Sequence, residues 1–182
     1  MDKNHTTFDN FALIQDSLIP SSSNLIFYED AFSKIKLVEQ ISTSQNLPIL
    51  YIDLDFLFSG FINSQLLSLP NLSLFNTLES NFNEILPKIL TKISTEPHLV
   101  ILDSMNGLYN IFSNSEDSGR VVNSIIMLIK QNVKFSKSIL IISALARKKE
   151  EKWVLSNGRQ ILENENMKKF FLSDRSKINI EK

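Results

Sequence analysis

The sequence predicts an α/β protein with a mostly parallel central sheet. As far as residue 143, apolar runs of strand length alternate with segments in which apolar residues recur at helical spacing, a pattern typical of right-handed strand-helix-strand units. Two runs, LPILYIDLD at 47–55 and LVILDS at 99–104, are almost continuously apolar until they end at aspartates. Continuous apolar runs are typical of parallel strands that are buried on both faces.

The first half of the chain predicts two strand-helix units after a loosely held arm at 1–23, so that a single domain occupies residues 24–182. The run NLIFY and the helical spacing of the residues after it predict the first strand and helix. The predicted elements are a strand at 24–28, a helix at 31–41, a strand at 49–53, an apolar irregular stretch and a short strand at 71–75.

The second half continues the alternation and then changes character. A helix is predicted at 77–93, with Pro87 expected to kink or split it. A buried strand follows at 100–103, and the next helix runs to about residue 133, with Ser113, Asp117 or Ser118 as its cap. The remaining predicted strands lie at 139–143, 152–155, 160–162 and 170–172, the last three as an antiparallel extension.

Composition limits the class of protein. A chain of 182 residues, 43% of them apolar, has the length and the core of one domain. The absence of cysteine excludes disulfides and thiolate metal sites, and two isolated histidines argue against a histidine-based metal centre. No apolar stretch has membrane-spanning length and the N-terminus lacks a signal-peptide pattern, so we expect a cytoplasmic protein without membrane contact.

Polar residues follow the two aspartate-ended strands. Because the carboxyl ends of parallel strands meet at one edge of a sheet, we expect Asp53, Asp55, Asp103 and Ser104 to face one crevice. A carboxylate beside a hydroxyl can hold Mg²⁺ through its water shell, and a second carboxylate can polarise an attacking water. Aspartates at strand ends are also common helix caps and turn formers, so both interpretations stay open.

The order of elements and these strand ends resemble the ATPase core of the RecA/RadA recombinase superfamily. YIDLD at 51–55 is similar to the family's Tyr-Ile-Asp-Thr-Glu, VILDS at 100–104 to its Walker B strand, and SGR at 118–120 to the start of a DNA-contacting loop. The resemblance covers residues 24–173 and implies a RecA-like three-layer sandwich. It also implies that Asp55 activates water, and that Asp103 holds Mg²⁺ through water.

The phosphate-binding loop departs from the family pattern. The corresponding segment, YEDAFSKI at 28–35, keeps the P-loop lysine as Lys34 but has no glycine, and Glu29 and Asp30 place negative charge where a triphosphate would lie. The candidate nucleotide-binding residues are therefore Lys34, Ser33, Asp103 and Ser104. We expect no cofactor; if a nucleotide binds, it is ATP with Mg²⁺.

Basic residues suggest contact with DNA. From residue 147 onward there are ten Lys/Arg against six Asp/Glu, and before it nine against fourteen. The candidate DNA-binding residues are Arg120, which the resemblance places in a DNA loop, and Arg147, Lys148, Lys149 and Arg159. Ordinary scatter of charge on a solvated surface is the alternative, and Trp153 would either stack on a base or cover the sheet edge.

Three functions remain open. The P-loop residues that would bind phosphate are lost, whereas Asp55 and Asp103 are kept. This combination favours a non-catalytic or weakly catalytic accessory subunit in DNA recombination or repair. It would bind a RecA-like partner or a second copy of itself, and single-stranded DNA; the apolar cluster at 11–14 resembles the segment that recombinases insert into a neighbour. One alternative is an active DNA-dependent ATPase with an atypical loop. Another is a RecA-like regulatory or scaffold subunit, KaiC-like or Elongator-like, unrelated to DNA.

Overall fold

The computed structural model describes residues 14, 16, 18, 20, 21, 23–149, 152–155, 167–173 and 177–181. The strands are β1 Ser23–Tyr28, β2 Ile49–Asp53, β3 Leu72–Asn76, β4 Leu99–Asp103, β5 Ile139–Lys149, β6 Lys152–Leu155, β7 Met167–Ser173 and β8 Lys177–Glu181. The helices are α1 Ala31–Ser44, α2 Leu57–Asn63, α3 Phe82–Thr95, α4 Met105–Ile111 and α5 Ser118–Ser136, with a 3-10 turn at Glu79–Asn81.

The strands form one sheet in the order β3-β2-β4-β5-β1-β7-β8, and β6 pairs with β5. Every neighbouring pair from β3 to β7 is parallel. The end strand β8 is antiparallel to β7, and β6 is antiparallel to β5. The predicted α/β class with a mostly parallel sheet and an antiparallel extension is confirmed.

One strand of the extension runs against the prediction. β7 was expected to be antiparallel, but it lies parallel to β1 from the Ser23–Met167 pair to the Tyr28–Leu172 pair. β6 reverses the chain beside the last residues of β5, so a second reversal before Met167 gives β7 the direction of β1. The predicted strand at 160–162 lies outside the described residues.

Most other elements lie where the sequence predicted them, and the bounds of β2 and β6 are as predicted. Pro87 lies inside α3 without splitting it. Both Pro87 and Asn83, whose carbonyl loses its intrahelical donor, are exposed, so water can solvate that carbonyl. The short helices α2 and α4 and the strand β8 were not predicted, and α2 occupies the stretch expected to be irregular.

Helices cover both faces of the sheet. On one face, α3, α4 and α5 pack on β4 and β5 through residues such as Phe82, Leu108 and Ile129. On the other face, α1 and α2 pack with residues such as Val38 and Phe58. Ile14 and Leu18 are also buried in this second cluster, although they lie in the range expected to be a loosely held arm. None of the described helices has the length and apolar character to cross a lipid bilayer.

Candidate site at the carboxyl ends of the strands

The parallel strands bring the predicted nucleotide-side residues to one edge of the sheet. Asp53 ends β2 and Asp103 ends β4, and the two are paired residues in neighbouring strands. Asp55 and Ser104 follow these strand ends, and Ser104 donates its hydroxyl to a carboxylate oxygen of Asp55 at 2.5 Å. Lys34 reaches the same place from α1. These residues therefore lie at one edge of the sheet, as expected, but Asp53, Asp103 and Ser104 are fully buried and do not face an open crevice. Their use in binding a nucleotide stays a prediction.

Lys34 and Asp103 form a buried ion pair at the centre of this edge. The Lys34 ammonium lies 2.7 Å and 2.6 Å from the two carboxylate oxygens of Asp103, and the two side chains are 1% and 0% exposed. The Tyr51 hydroxyl donates to Oδ2 of Asp103 at 2.5 Å, and the Ser143 hydroxyl donates to Oδ1. Asp103 thus accepts four hydrogen bonds from the protein itself.

Two tyrosines line this ion pair. The Lys34 ammonium lies 4.9 Å from the centroid of the Tyr28 ring, and the Tyr51 ring stacks on Phe58 with 3.8 Å between ring centroids. Burial, and then the nearby Asp103 carboxylate, raises the pKa of both tyrosine hydroxyls. Both hydroxyls stay protonated at neutral pH, so Tyr51 remains a donor to Asp103.

The N-terminus of α1 is capped by a carboxylate. Asp30 accepts a hydrogen bond from the backbone N–H of Ser33 at 2.6 Å, and this hydrogen bond lowers the pKa of Asp30. A helix N-terminus is where a P-loop protein binds phosphate, through free N–H groups and the helix dipole. Here a carboxylate of the chain takes one of those donors, and the neighbouring Glu29 is exposed.

Asp55 lies beside the start of α4, where the Asp103–Ser104 peptide bond is cis. Ser104 is the N-cap of α4 and accepts from the backbone N–H of Gly107 at 3.1 Å while it donates to Asp55. Although Asp55 is exposed as a residue, desolvation of its carboxyl group raises its pKa, and the hydrogen bond from Ser104 opposes that shift.

Asp53 is fully buried and only half satisfied. Its Oδ2 accepts from the backbone N–H of Ser59 at 2.7 Å, whereas its Oδ1 has no partner among the described residues. Burial raises the pKa of this carboxyl, against the effect of the Ser59 hydrogen bond. The carboxylate form of Asp53 is therefore costly in the folded protein.

We expect Asp53→Asn to stabilise the protein near neutral pH. Because the pKa of Asp53 is raised, the folded state binds its proton more tightly than the unfolded chain, and stability falls as pH rises through the raised value. The amide removes that loss, and its oxygen can still accept from Ser59. Urea denaturation should show the gain near neutral pH and none below about pH 4, where the unfolded chain is also protonated. Glu39→Gln, on the exposed side of α1, should leave the free energy of unfolding unchanged at both pH values. A gain equal to that of Asp53→Asn would contradict the assignment to Asp53.

The predicted DNA-binding residues do not join this cluster. Arg120 lies in the first turn of α5, is largely exposed and pairs with Asp117 at 3.4 Å. Arg147 is exposed near the end of β5, which also contains Lys148 and Lys149, and Arg159 lies outside the described residues. Trp153 is half buried, with its ring centroid 5.2 Å from that of Phe171, so it covers the sheet.

Sequence reasoning missed two groups that hold the ion pair in place, the hydroxyls of Tyr51 and Ser143. Tyr51 directly follows the apolar residues Ile49 and Leu50, and Ser143 directly follows the apolar run ILII at 139–142. A polar group on a buried strand needs a partner in the core. That requirement is the signal that could have identified them.

Comparison with known proteins gives no family for the chain. No protein-family model matches it, and no curated protein matches it. A solved structure similar to it is a KaiC-like protein from the hyperthermophilic archaeon Pyrococcus horikoshii OT3, with 9% sequence identity over 92% of this chain and 94% of that one, and a TM-score of 0.45. The assignment to the α/β class therefore rests on the strand pairing of the chain itself.

Proposed function

We propose that this chain is a RecA-like protein whose nucleotide site is filled by its own side chains, and that it acts by binding a protein partner rather than by hydrolysing ATP. The observation that carries the proposal is the buried ion pair. The lysine at the P-loop position is 1% exposed and bonds to both oxygens of Asp103.

A nucleotide would have to break that pair before it could bind. A phosphate that drew Lys34 away would leave the Asp103 carboxylate buried without its counter-ion, and an uncompensated buried charge costs several kcal/mol. The phosphate would also approach Asp30, whose carboxylate already accepts from the N-terminus of α1. Because the phosphate and the Asp30 carboxylate are both negative, their repulsion would lower the affinity of the site for a nucleotide.

The residues present do not fit a Mg²⁺ site at Asp103. Both of its oxygens are engaged by Lys34, Tyr51 and Ser143, so neither is free to accept from the water shell of a metal. Within the described part of the chain, no three His, Cys, Asp or Glu residues are grouped so that they could hold a metal ion. Asp103 thus has a structural use, since through Lys34, Tyr51 and Ser143 it ties β4 to α1, β2 and β5.

The finer part of the proposal concerns partners. The proposed partner is a RecA-like protein or a second copy of this chain. Either would suit a subunit that assembles without hydrolysing ATP and works in recombination or repair. Contact with single-stranded DNA through Arg120 stays a prediction from the sequence, because its guanidinium is exposed but already paired with Asp117. A single-strand binding assay with Arg120→Ala tests it.

Calorimetry with ATP and Mg²⁺ tests the central claim. We expect no heat of binding from the full chain at nucleotide concentrations up to about 1 mM, and no rise in melting temperature, which bound ligand would produce. Asp30→Asn is a useful companion variant, since it removes the carboxylate at the helix N-terminus and leaves the ion pair intact. It should also bind no nucleotide. Micromolar binding by the unaltered chain would contradict the proposal.

A further inference from the structure

Helix α5 is apolar on two sides. One side contributes Val122, Ile125, Ile129 and Val133 to the core between the helix layer and the sheet. The other side carries Met127, Leu128 and Phe135, which are 51%, 48% and 82% exposed. A helix that lies on a sheet normally presents polar residues to solvent, so this second apolar side needs an explanation.

The exposed residues form a stripe along α5. The α5 stripe consists of Ser124, Met127, Leu128, Gln131, Lys134 and Phe135, all of them exposed. At roughly 100° per residue, these six positions fall within an arc of about 120° and extend over three turns. Such an arrangement matches the spacing at which one helix packs along another.

The part of the chain that carries the stripe has positive charge alone. The sequence from residue 118 to 149 contains seven Lys and Arg and no Asp or Glu, in a chain whose net charge is −1. Lys130 and Lys134 lie in the second half of α5 and Lys137 directly follows the helix. Within the described residues none of the three forms an ion pair. The segment that carries the exposed apolar side chains is therefore basic and contains no acidic residue that could compensate these lysines.

We propose that the α5 stripe is a docking surface for an acidic amphipathic helix of a protein partner. The inference rests on the proposed function, in which the chain acts by binding protein. The apolar face of such a helix would cover Met127, Leu128 and Phe135, and its flanking carboxylates would face Lys130, Lys134 and Lys137. A large and mostly exposed aromatic side chain such as Phe135 is the kind of residue that anchors an interface.

Other occupants fit the stripe less well. Two copies of this chain that met across a two-fold axis would place the same lysines against each other, which like-charge repulsion disfavours. Nucleic acid would use the lysines but leave three large apolar side chains in water. A membrane surface would attract the lysines, but three side chains on a helix whose other side is in the core give little apolar area to insert.

The test uses a designed peptide and the full-length protein. The probe is a fluorescent helical peptide of about 20 residues, with leucine at helical spacing on one face and glutamate on its flanks; a scrambled peptide of the same composition is the control. We expect fluorescence anisotropy to show binding of the designed peptide that weakens as salt rises. Leu128→Glu and Phe135→Ser should each weaken it by about tenfold or more.

Leu66→Glu is the matched variant, since Leu66 is 74% exposed just after α2, on the other face of the sheet. It should bind the peptide as the unaltered chain does. The proposal is overturned if the designed and scrambled peptides bind alike, if neither binds, or if Leu128→Glu and Leu66→Glu behave alike. Sedimentation with anionic phospholipid vesicles, or self-association abolished by Phe135→Ser, would overturn it in favour of a membrane or a second copy. Calorimetry with ATP on the same samples reports separately on the proposed function.

Discussion

Lys34→Met is expected to lower the free energy of unfolding by about 3 to 5 kcal/mol, the range found when one partner of a buried ion pair is removed. The methionine would fill most of the space but would leave the Asp103 carboxylate buried with only the hydroxyls of Tyr51 and Ser143 as donors. Urea denaturation followed by circular dichroism measures the loss. In a protein whose P-loop lysine met solvent and phosphate, the same change would mainly reduce nucleotide affinity.

Lys36→Met is the control for this change. Lys36 lies on the same helix, is half exposed and has its ammonium 4.6 Å from the centroid of the Phe32 ring. Loss of an exposed cation–π contact should cost about 1 kcal/mol or less. Similar small losses for both variants would show that Lys34 is not committed to a buried pair. A double variant, Lys34→Met with Asp103→Leu, should lose less stability than the two single changes together.

Gly107→Ala is expected to lower the free energy of unfolding by about 1 to 3 kcal/mol, the usual cost of an extra group in a filled space. An added Cβ would lie 2.5 Å from Oδ1 of Asp55 and 2.8 Å from Cβ of Leu54. The carboxylate can rotate away, but the Leu54 Cβ is fixed to a backbone whose N–H donates to the Asp103 carbonyl at 2.6 Å. The clash therefore outweighs the gain in helix propensity, which is about 1 kcal/mol.

Gly60→Ala separates the clash from the propensity. Gly60 lies inside α2, and an added Cβ there would have no atom within 4 Å. This variant should gain about 0.5 to 1 kcal/mol in the same denaturation experiment. A gain of the same size from Gly107→Ala would mean that the backbone at Leu54 and Asp55 can move to make room for the added Cβ. It would also mean that close packing of α4 does not fix the position of the Asp55 carboxylate beside Ser104.

The sequence was sufficient to predict the fold class and the placing of Asp53 and Asp103 at one edge of the sheet. Continuous apolar runs identified β2 and β4 as buried parallel strands, and the parallel arrangement requires their carboxyl ends to share an edge. The helices α2 and α4 could not be predicted, because helices of seven residues show barely two turns of periodicity. The direction of β7 depends on how many times the chain reverses after β5, which local patterns do not record.

The ion pair between Lys34 and Asp103 could not be predicted from the sequence. Lys34 and Asp103 are separated by 69 residues, and their contact depends on the order β4-β5-β1 in the sheet. Resemblance to P-loop proteins indicated the opposite arrangement, with the lysine turned to a phosphate. What decides between the two is whether a glycine-rich loop keeps space open at the end of β1, and that segment carries Tyr28, Glu29 and Asp30 instead.

The strand order also determines when the protein can fold during synthesis. Both neighbours of β1, which are β5 and β7, come later in the chain, whereas β2, β3 and β4 can pair among themselves as soon as they have been made. A nascent chain that stops before residue 139 thus carries an edge of β1 with no strand beside it. Such an edge is prone to pair with other chains. Among the described strands, β1 is made before the others but can pair only once β5 has been made, so its edges stay open during that interval.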